Sequence, residues 1–307
     1  MSSADKPNWI EVSFLVHDEQ AETVAEILSR FAPQGVAIEK YIPKHDPLPS
    51  DINKVYAFIL ADEHLAHTKQ KIEEAVWHLS QIQLIPKPTY HEIYDRDWMT
   101  SWKKHYYPIP VGKKLLILPV WVKAKETNRT PIYINPSKAF GTGIHPSTQL
   151  CLTLMETYVM KDEVIIDIGC GSGILSISAI LLGASHALAV DISAAAVKST
   201  KENAVLNKVE NKIEVEKGSL QEIINGQFST RDAPLVIVNI LAKTILQLLE
   251  QDLTKVLTEN GILILSGILD SRASEITSCA ETHNLRLLEE KKLSGWAALS
   301  FLKEEPK

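Results

Sequence analysis

Asp167-Ile168-Gly169-Cys170-Gly171-Ser172-Gly173 is the segment of this chain best suited to holding a small ligand. It lies between an apolar run, Val164 to Ile168, and a helical pattern that starts at Ile174. Glycine lets a backbone turn sharply and come close to a ligand without Cβ interference. The start of the following helix offers unpaired N–H groups and a partial positive charge. A tight strand-to-helix turn uses the same glycines for purely steric reasons, so the loop alone decides nothing. Asp191 is a second signal. It ends the next apolar run, 22 positions after Gly169, close to the separation at which a carboxylate accepts hydrogen bonds from ribose hydroxyls. Together the two features point to a nucleoside.

A dinucleotide fingerprint starting at Gly169 would need glycine where Ile174 stands, and one starting at Gly171 would need it at Ser176. Asp167, two residues before the first glycine, suits a cationic ligand and repels a pyrophosphate. S-adenosylmethionine, with its amine and sulfonium, is therefore favoured over NAD. Two further segments carry candidate residues. Ala139 to Thr148 contains Gly141-Thr142-Gly143 and His145-Pro146, the composition of a loop rather than a core segment. Thr148 falls in the first turn of a helix running towards Val159, where its hydroxyl either reaches the ligand or caps the helix. His145 has no carboxylate partner in sequence and receives no catalytic role. Asn239 follows the apolar run Pro234 to Val238, at the edge where open α/β sheets bind ligands.

The elements that must position these residues alternate strictly from about Lys161. Strands are expected at Val164 to Ile168, Ala187 to Asp191, Lys212 to Glu216, Pro234 to Val238 and Ile262 to Ser266. Helices are expected at Ile174 to Gly183, Ala194 to Asn207 and Lys243 to Leu257. Such alternation puts helices on both faces of a mostly parallel sheet. Two consecutive strands, Leu285 to Lys292 and Trp296 to Leu302, turn through Ser294-Gly295 and close it. That finish is unusual for a dinucleotide dehydrogenase.

The first ninety residues carry a different pattern. Strands at Trp9 to Val16, Val36 to Tyr41, Lys54 to Leu60 and Gln83 to Ile85 interleave with two helices. One repeats Ala21, Val24, Ala25, Leu28 and Phe31 after a capping Asp18 and stops at Pro33 and Gly35. The other, Glu63 to Leu79, aligns Ile72, Val76 and Leu79. This β-α-β-β-α-β succession predicts a small α+β ferredoxin-like domain over residues 1–90. Pro86 and Pro88 mark its end, and Trp98, Trp102 and Tyr106 share one face of a linker helix expected over 91–108. Residues 109–307 form the larger domain.

A length of 307 residues with 45% apolar and 23% charged composition allows two soluble globular domains with ordinary cores. The net charge of −6 argues against broad binding to nucleic acid. Cys151, Cys170 and Cys279 form no CxxC pair and are expected as buried thiols in a reducing compartment, with no metal site. No signal peptide or membrane-spanning stretch is present in the sequence, so a cytoplasmic location is expected.

Asp167 to Gly173, Asp191 and the closing hairpin resemble the seven-strand class I S-adenosylmethionine-dependent methyltransferases. Arg96-Asp97-Trp98, Trp102-Lys103, Ala139 to Thr148 and Val238-Asn239-Ile240-Leu241 resemble, more narrowly, the methyltransferase family of ribosomal large-subunit protein eleven. The resemblance covers about Asp95 to the C-terminus. The wider amine and amide methylases often have Asn-Pro-Pro-aromatic where this chain has Asn239-Ile240-Leu241-Ala242, so DNA-adenine and glutamine methylases are not indicated. The resemblance implies a seven-stranded, doubly wound Rossmann-like sheet. It implies cofactor contacts from Thr148, Gly169, Asp191 and Asn239, joined by Asp167 and Gly171, and a cover from Phe140, Gly141, Thr142 and Gly143. It implies transfer of methyl groups from S-adenosylmethionine to the N-terminal α-amine and lysines of ribosomal protein eleven, yielding S-adenosylhomocysteine. Asn239 and nearby carbonyls would orient the amine. The substrate is expected free of the ribosome, with no nucleic acid or membrane required and the enzyme a monomer. The first domain would recognise the protein, and Glu11, Asp18, Glu19, Glu22 and Glu26 either attract a basic partner or form a solvated face. Alternatives are a lysine methyltransferase for another protein, an RNA-binding protein with a degenerate methylase fold, and a dehydrogenase.

Overall fold

The computed structural model describes residues 9–32, 36–41, 52–80, 85–93, 108–124, 127–135 and 143–305. The chain divides into two compact units, Met1–Tyr106 and Tyr107–Lys307. Among the described residues no helix is long and apolar enough to cross a membrane.

In the first unit β1 (Trp9–His17), α1 (Asp18–Ser29), β2 (Val36–Lys40), β3 (Ile52–Leu60), α2 (Leu65–Ser80) and β4 (Thr89–Ile93) follow in that order. The sheet runs β2-β3-β1-β4 with every neighbouring pair antiparallel. Alternation in β1 buries Ile10, Val12, Phe14 and Val16 beside Val55, Ala57 and Ile59 of β3. The stripes of α1 (Ala21, Val24, Ala25, Leu28) and α2 (Ile72, Val76) are buried with them. Three expectations change. The last strand lies at Thr89–Ile93, beyond both prolines, and not at 83–85. Residues 91–93 therefore belong to that strand, and the rest of the expected linker segment, 94–107, with Trp98, Trp102 and Tyr106, lies outside the described residues. Asp18 is the first residue of α1, not its cap. The backbone N–H of the cap residue His17 donates to Gln20 Oε1 (3.2 Å), while Asp18 accepts from Asn53 Nδ2 at 2.5 Å. Glu11 is paired with Lys54 at 2.6 Å. Glu11 and Asp18 are thus both engaged inside the unit.

The second unit opens with a small sheet that the sequence reading did not anticipate. β5 (Ile109–Val111), β6 (Leu115–Pro119) and β7 (Thr130–Ile134) pair in that order, the first two antiparallel and the last two parallel. After α3 (Pro146–Tyr158) comes the alternating series: β8 (Val164–Ile168), α4 (Ile174–Leu182), β9 (His186–Asp191), α5 (Ala194–Leu206), β10 (Ile213–Lys217), α6 (Leu220–Ile224), β11 (Ala233–Asn239), α7 (Ala242–Glu250), β12 (Leu257–Leu269), α8 (Ala273–Thr282), β13 (Leu285–Leu293) and β14 (Trp296–Lys303). The seven-stranded sheet has the order β10-β9-β8-β11-β12-β14-β13. Its first five strands are parallel, and β14 runs antiparallel between β12 and β13. The chain enters at the centre, winds out to β10 and returns at β11, so the switch point lies between β8 and β11. Ser294 and Gly295, both at positive φ (51° and 81°), form the expected tight turn of the closing hairpin. Helix α7 stops at Glu250, seven residues short of expectation, because Asp252 turns left-handed (φ 67°) and Leu257 already starts β12.

Two side-chain clamps hold the small sheet in this unit. Glu156 on α3 accepts from the backbone N–H groups of Lys113 and Lys114, both at 2.7 Å. Asn207, at the end of α5, pairs with Tyr133 as a neighbouring strand would: its Oδ1 accepts from Tyr133 N (2.8 Å) and its Nδ2 donates to Tyr133 O (2.7 Å). Removing one partner leaves part-buried backbone groups unsatisfied. Asn207→Ala is therefore expected to destabilise the protein by about 2 kcal/mol, lowering the melting midpoint by about 4–8 °C in calorimetry.

Candidate active site

The carboxyl ends of four parallel strands finish level. Val190 of β9 pairs with Ile168 of β8, which pairs with Val238 of β11, and Asn239 stands opposite Ser266 of β12. Gly169, Asp191 and Asn239 thus each stand one residue past the buried row of Ile168, Val190 and Val238. The loop after β8 folds back on β9, since the N–H groups of Gly169 and Cys170 both donate to Val190 O (2.8 and 3.1 Å).

Asp191 is fixed from two sides. Gly171 N donates to its Oδ2 (3.0 Å) and Ser193 N to its Oδ1 (2.8 Å). Each oxygen keeps accepting capacity for a ligand hydroxyl. Asp167 is fully buried, and its Oδ2 accepts from both the N–H and the hydroxyl of Ser176 (3.2 and 2.5 Å). Loss of hydration pushes this carboxyl from its ordinary 3.8 up to about 6; the Ser176 bonds pull it down, and the Asp191 charge adds to the rise. At the start of α4, Ser176 N is thus taken by Asp167, and Ile174 N by Ser172 Oγ (3.3 Å). With a carboxylate seated there, the helix start is not an anion cradle, in line with a cationic ligand.

At the start of α3 the cap is His145. His145 Nδ1 accepts from Ser147 N (3.2 Å) and so caps the helix, and its ring stands edge-on to Trp296 with centroids 4.4 Å apart. Thr148 is not the cap: it is fully buried, and its hydroxyl has no hydrogen-bond partner among the described residues. Asp167 Oδ1 and Asn239 Oδ1 are buried and unpartnered in the same sense. Buried oxygens left this way are costly unless a ligand or water meets them.

The residue after Asn239 is locked in place. Ile240 N donates to Ser266 O (3.2 Å), and a Cβ on Gly267 would come within 2.3 Å of Ile240 O. Gly267 sits at positive φ (82°) in the bulge of β12, where only glycine lets the Ile240 peptide lie this close. Ser266 Oγ donates to Ser147 O (2.9 Å), which ties the start of α3 to the same strand. Sequence reasoning missed Ser176, Ser266 and Gly267. A lone glycine in the apolar run Ile262 to Leu269 was the available signal, because it marks a bulge or a close approach.

The cysteines offer no nucleophile. Burial raises the Cys151 and Cys170 thiols well above their ordinary 9.0. Cys279, expected as buried, is only partly so. No group of three or more His, Cys, Asp or Glu among the described residues is placed to hold a metal ion. Phe140, Gly141 and Thr142 lie outside the described residues. Gly143 is described, at positive φ (84°), packed towards Ile117 and Ile174.

Comparison with known proteins decides the family. The model of the ribosomal protein L11 methyltransferase (PrmA) family matches residues 8–304. The chain belongs to that family. A ribosomal protein L11 methyltransferase of Herpetosiphon aurantiacus is 32% identical over 96% of this chain and 99% of its own length. That of Caldicellulosiruptor bescii is 35% identical over 94% and 96% respectively. Among solved structures, a ribosomal protein L11 methylase from Lactobacillus delbrueckii subsp. bulgaricus matches with a TM-score of 0.58 and 28% identity, covering 65% of this chain and all of that one. The match from residue 8 onward extends the resemblance seen in the sequence, which began near Asp95, through the first unit as well.

As a member of the ribosomal protein L11 methyltransferase family, the chain carries the buried acid of its glycine loop in an environment that favours the proton. The folded state holds that proton more tightly than the unfolded chain. The contribution of Asp167 to stability is thus fully present below about pH 4 and lost as pH rises through about 6. Asp167→Asn removes the titration. Relative to the natural protein, the variant is expected to gain stability between about pH 4 and about pH 7, read from urea midpoints; a difference that stays constant across that range would contradict the assignment.

Proposed function

We propose that this site binds S-adenosylmethionine and directs transfer of its methyl group to amino groups of ribosomal protein L11, the N-terminal α-amine and lysine side chains, with S-adenosylhomocysteine as product. The observation that carries the reading is the set of three buried, unpartnered oxygens, on Thr148, Asp167 and Asn239, in the unit that also holds Asp191 on the carboxyl edge of the sheet. An acid in the loop suits a cation, and a second acid at the end of the adjacent strand suits a ribose. Membership of the L11 methyltransferase family over residues 8–304 supports the substrate.

Bound at this edge, S-adenosylmethionine supplies a methyl group made electrophilic by its sulfonium. The chain's own part is positional. Asp191, held by Gly171 and Ser193, accepts from the ribose hydroxyls without reorganising. Asp167 remains ionised next to positive charge and lends its free oxygen to the cationic end. Thr148 offers a hydroxyl from a fixed helix turn. Asn239 Oδ1 accepts an N–H of the incoming amine, which aims the nitrogen lone pair away from that bond. Fixing donor and acceptor in this way contributes several kcal/mol to rate enhancement.

The amine must arrive neutral. An α-amine, with a reference pKa of about 8, needs little help, whereas a lysine at about 10.4 must lose its proton on entering a water-poor site beside a cation. We assign the substrate as the free protein in the cytoplasm, not the assembled ribosome, because a chain with net charge −6 is poorly matched to a polyanionic RNA surface.

Incubation of the full chain with labelled S-adenosylmethionine and purified unmodified ribosomal protein L11 is expected to give mass gains in multiples of one methyl, with fragments naming the amines. No transfer despite cofactor binding would send the substrate search to other proteins. Asn239→Ala is expected to lower turnover by about a hundredfold or more while cofactor affinity changes by less than about tenfold. Full turnover in that variant would remove Asn239 from the reaction.

A further inference from the structure

Helix α5 reaches the glycine loop through two buried polar side chains to which the proposed reaction assigns no role. Thr200 and Asn203 are both buried. Thr200 Oγ1 donates to the Gly171 carbonyl (3.0 Å) and lies 3.3 Å from Cys170 Sγ. Asn203 Nδ2 donates to the Ser172 carbonyl (2.8 Å), and its Oδ1 accepts from the N–H of Asn135 (3.0 Å), just past β7. Thr200 also occupies the room a side chain at Gly173 would need, since a Cβ there would fall 2.5 Å from Thr200 Cγ2. The same helix is capped by Ser193, whose N–H holds Asp191.

The N–H groups of Gly169, Cys170 and Gly171 hold this loop to β9 and Asp191, whereas the carbonyls of Gly171 and Ser172 are held by α5. Gly169, Gly171 and Gly173 all take positive φ (80°, 55° and 79°), and glycine loses more conformational freedom on ordering than any other residue. In a planar trans peptide the N–H points opposite to the carbonyl. Anchoring the Gly171 carbonyl on Thr200 therefore turns the N–H of Ser172 away from α5, and anchoring the Ser172 carbonyl on Asn203 does the same for the N–H of Gly173, which closes onto Cys170 O (2.8 Å). A loop ordered in advance lowers the cost of binding.

We propose that Thr200 and Asn203 are positioning residues for cofactor binding: without touching the ligand, they set the peptide planes of Gly171 and Ser172 and so set the affinity for the nucleoside. This rests on the S-adenosylmethionine reading of the site.

Two substitutions at Thr200 separate grip from packing. Thr200→Val keeps the shape and loses the hydroxyl; Thr200→Ser keeps the hydroxyl and loses a methyl group. Calorimetric titration of the full chain with S-adenosylhomocysteine is expected to show about tenfold weaker binding for Thr200→Val and less than about twofold for Thr200→Ser. The KM for S-adenosylmethionine should follow the dissociation constant, with turnover at saturation far less affected. Asn203→Ala is the second variant and is expected to weaken binding by at least as much. Asn207→Ala, four residues on, is expected to lower the melting midpoint while binding unchanged. The positioning role is overturned if Thr200→Val binds as tightly as the natural protein, or if Thr200→Ser loses as much as Thr200→Val. A natural protein that fails to bind S-adenosylhomocysteine would instead overturn the cofactor reading itself.

Discussion

The level ending of four parallel strands is the constraint on which the rest of this unit depends. Backbone pairing of Val190 with Ile168 and of Ile168 with Val238 leaves no freedom in how far each strand projects. A slip of one residue in β8 would exchange its two faces, and both are buried, so the register is fixed by packing as well as by hydrogen bonds. Once the row is set, the residues just beyond it are set too. Gly169, Asp191 and Asn239 arrive at one edge without any of them having to be held there by the others.

That edge concentrates groups that are poorly satisfied within the protein. Asp167 is buried with one oxygen bonded to Ser176 and one without a partner, and its ionisation is opposed by both burial and Asp191. Thr148 and Asn239 each present a buried oxygen with no described partner. The supports around them are well satisfied by contrast: Ser266 holds both Ile240 and Ser147, and His145 caps the helix that carries Thr148. Unmet capacity is thus concentrated on Thr148, Asp167 and Asn239, and met capacity on the residues that brace them.

Much of this was legible in the sequence because the larger sheet is built from runs buried on both faces, such as Val164 to Ile168 and Pro234 to Val238. The glycine loop, Asp191 and Asn239 stand at the ends of those runs, where the sequence pattern puts them. The small sheet β5-β6-β7 was not legible, since its strands are three to five residues long and contain Pro110, Pro119 and Pro131, which usually argue against strands. β4 escaped for a related reason: Thr89–Ile93 has no buried residue and no apolar alternation, and two prolines precede it. Helix α8 buries only Ala273, Ile276 and Ala280, too faint a stripe to register. The start of β12 lies outside the apolar run that marks it, because Asn260, left-handed and followed by Gly261, interrupts the pattern. Contacts such as Asn207 with Tyr133 join residues 74 positions apart, and no local pattern announces them.

The outermost described strand on one side of the large sheet is β13, and its charges have a bearing on the protein in concentrated solution. Glu289 pairs with Lys291 (2.6 Å) and Glu290 with Lys292 (3.1 Å), so both faces of that strand carry ion pairs along its second half. A second molecule adding a strand there would have to strip water from four charges to gain a few backbone hydrogen bonds, an exchange that is unfavourable. An open sheet of seven strands is in principle an extendable template. Here the sequence of its last strand makes self-templated growth, the first step towards fibrous aggregation, a costly event.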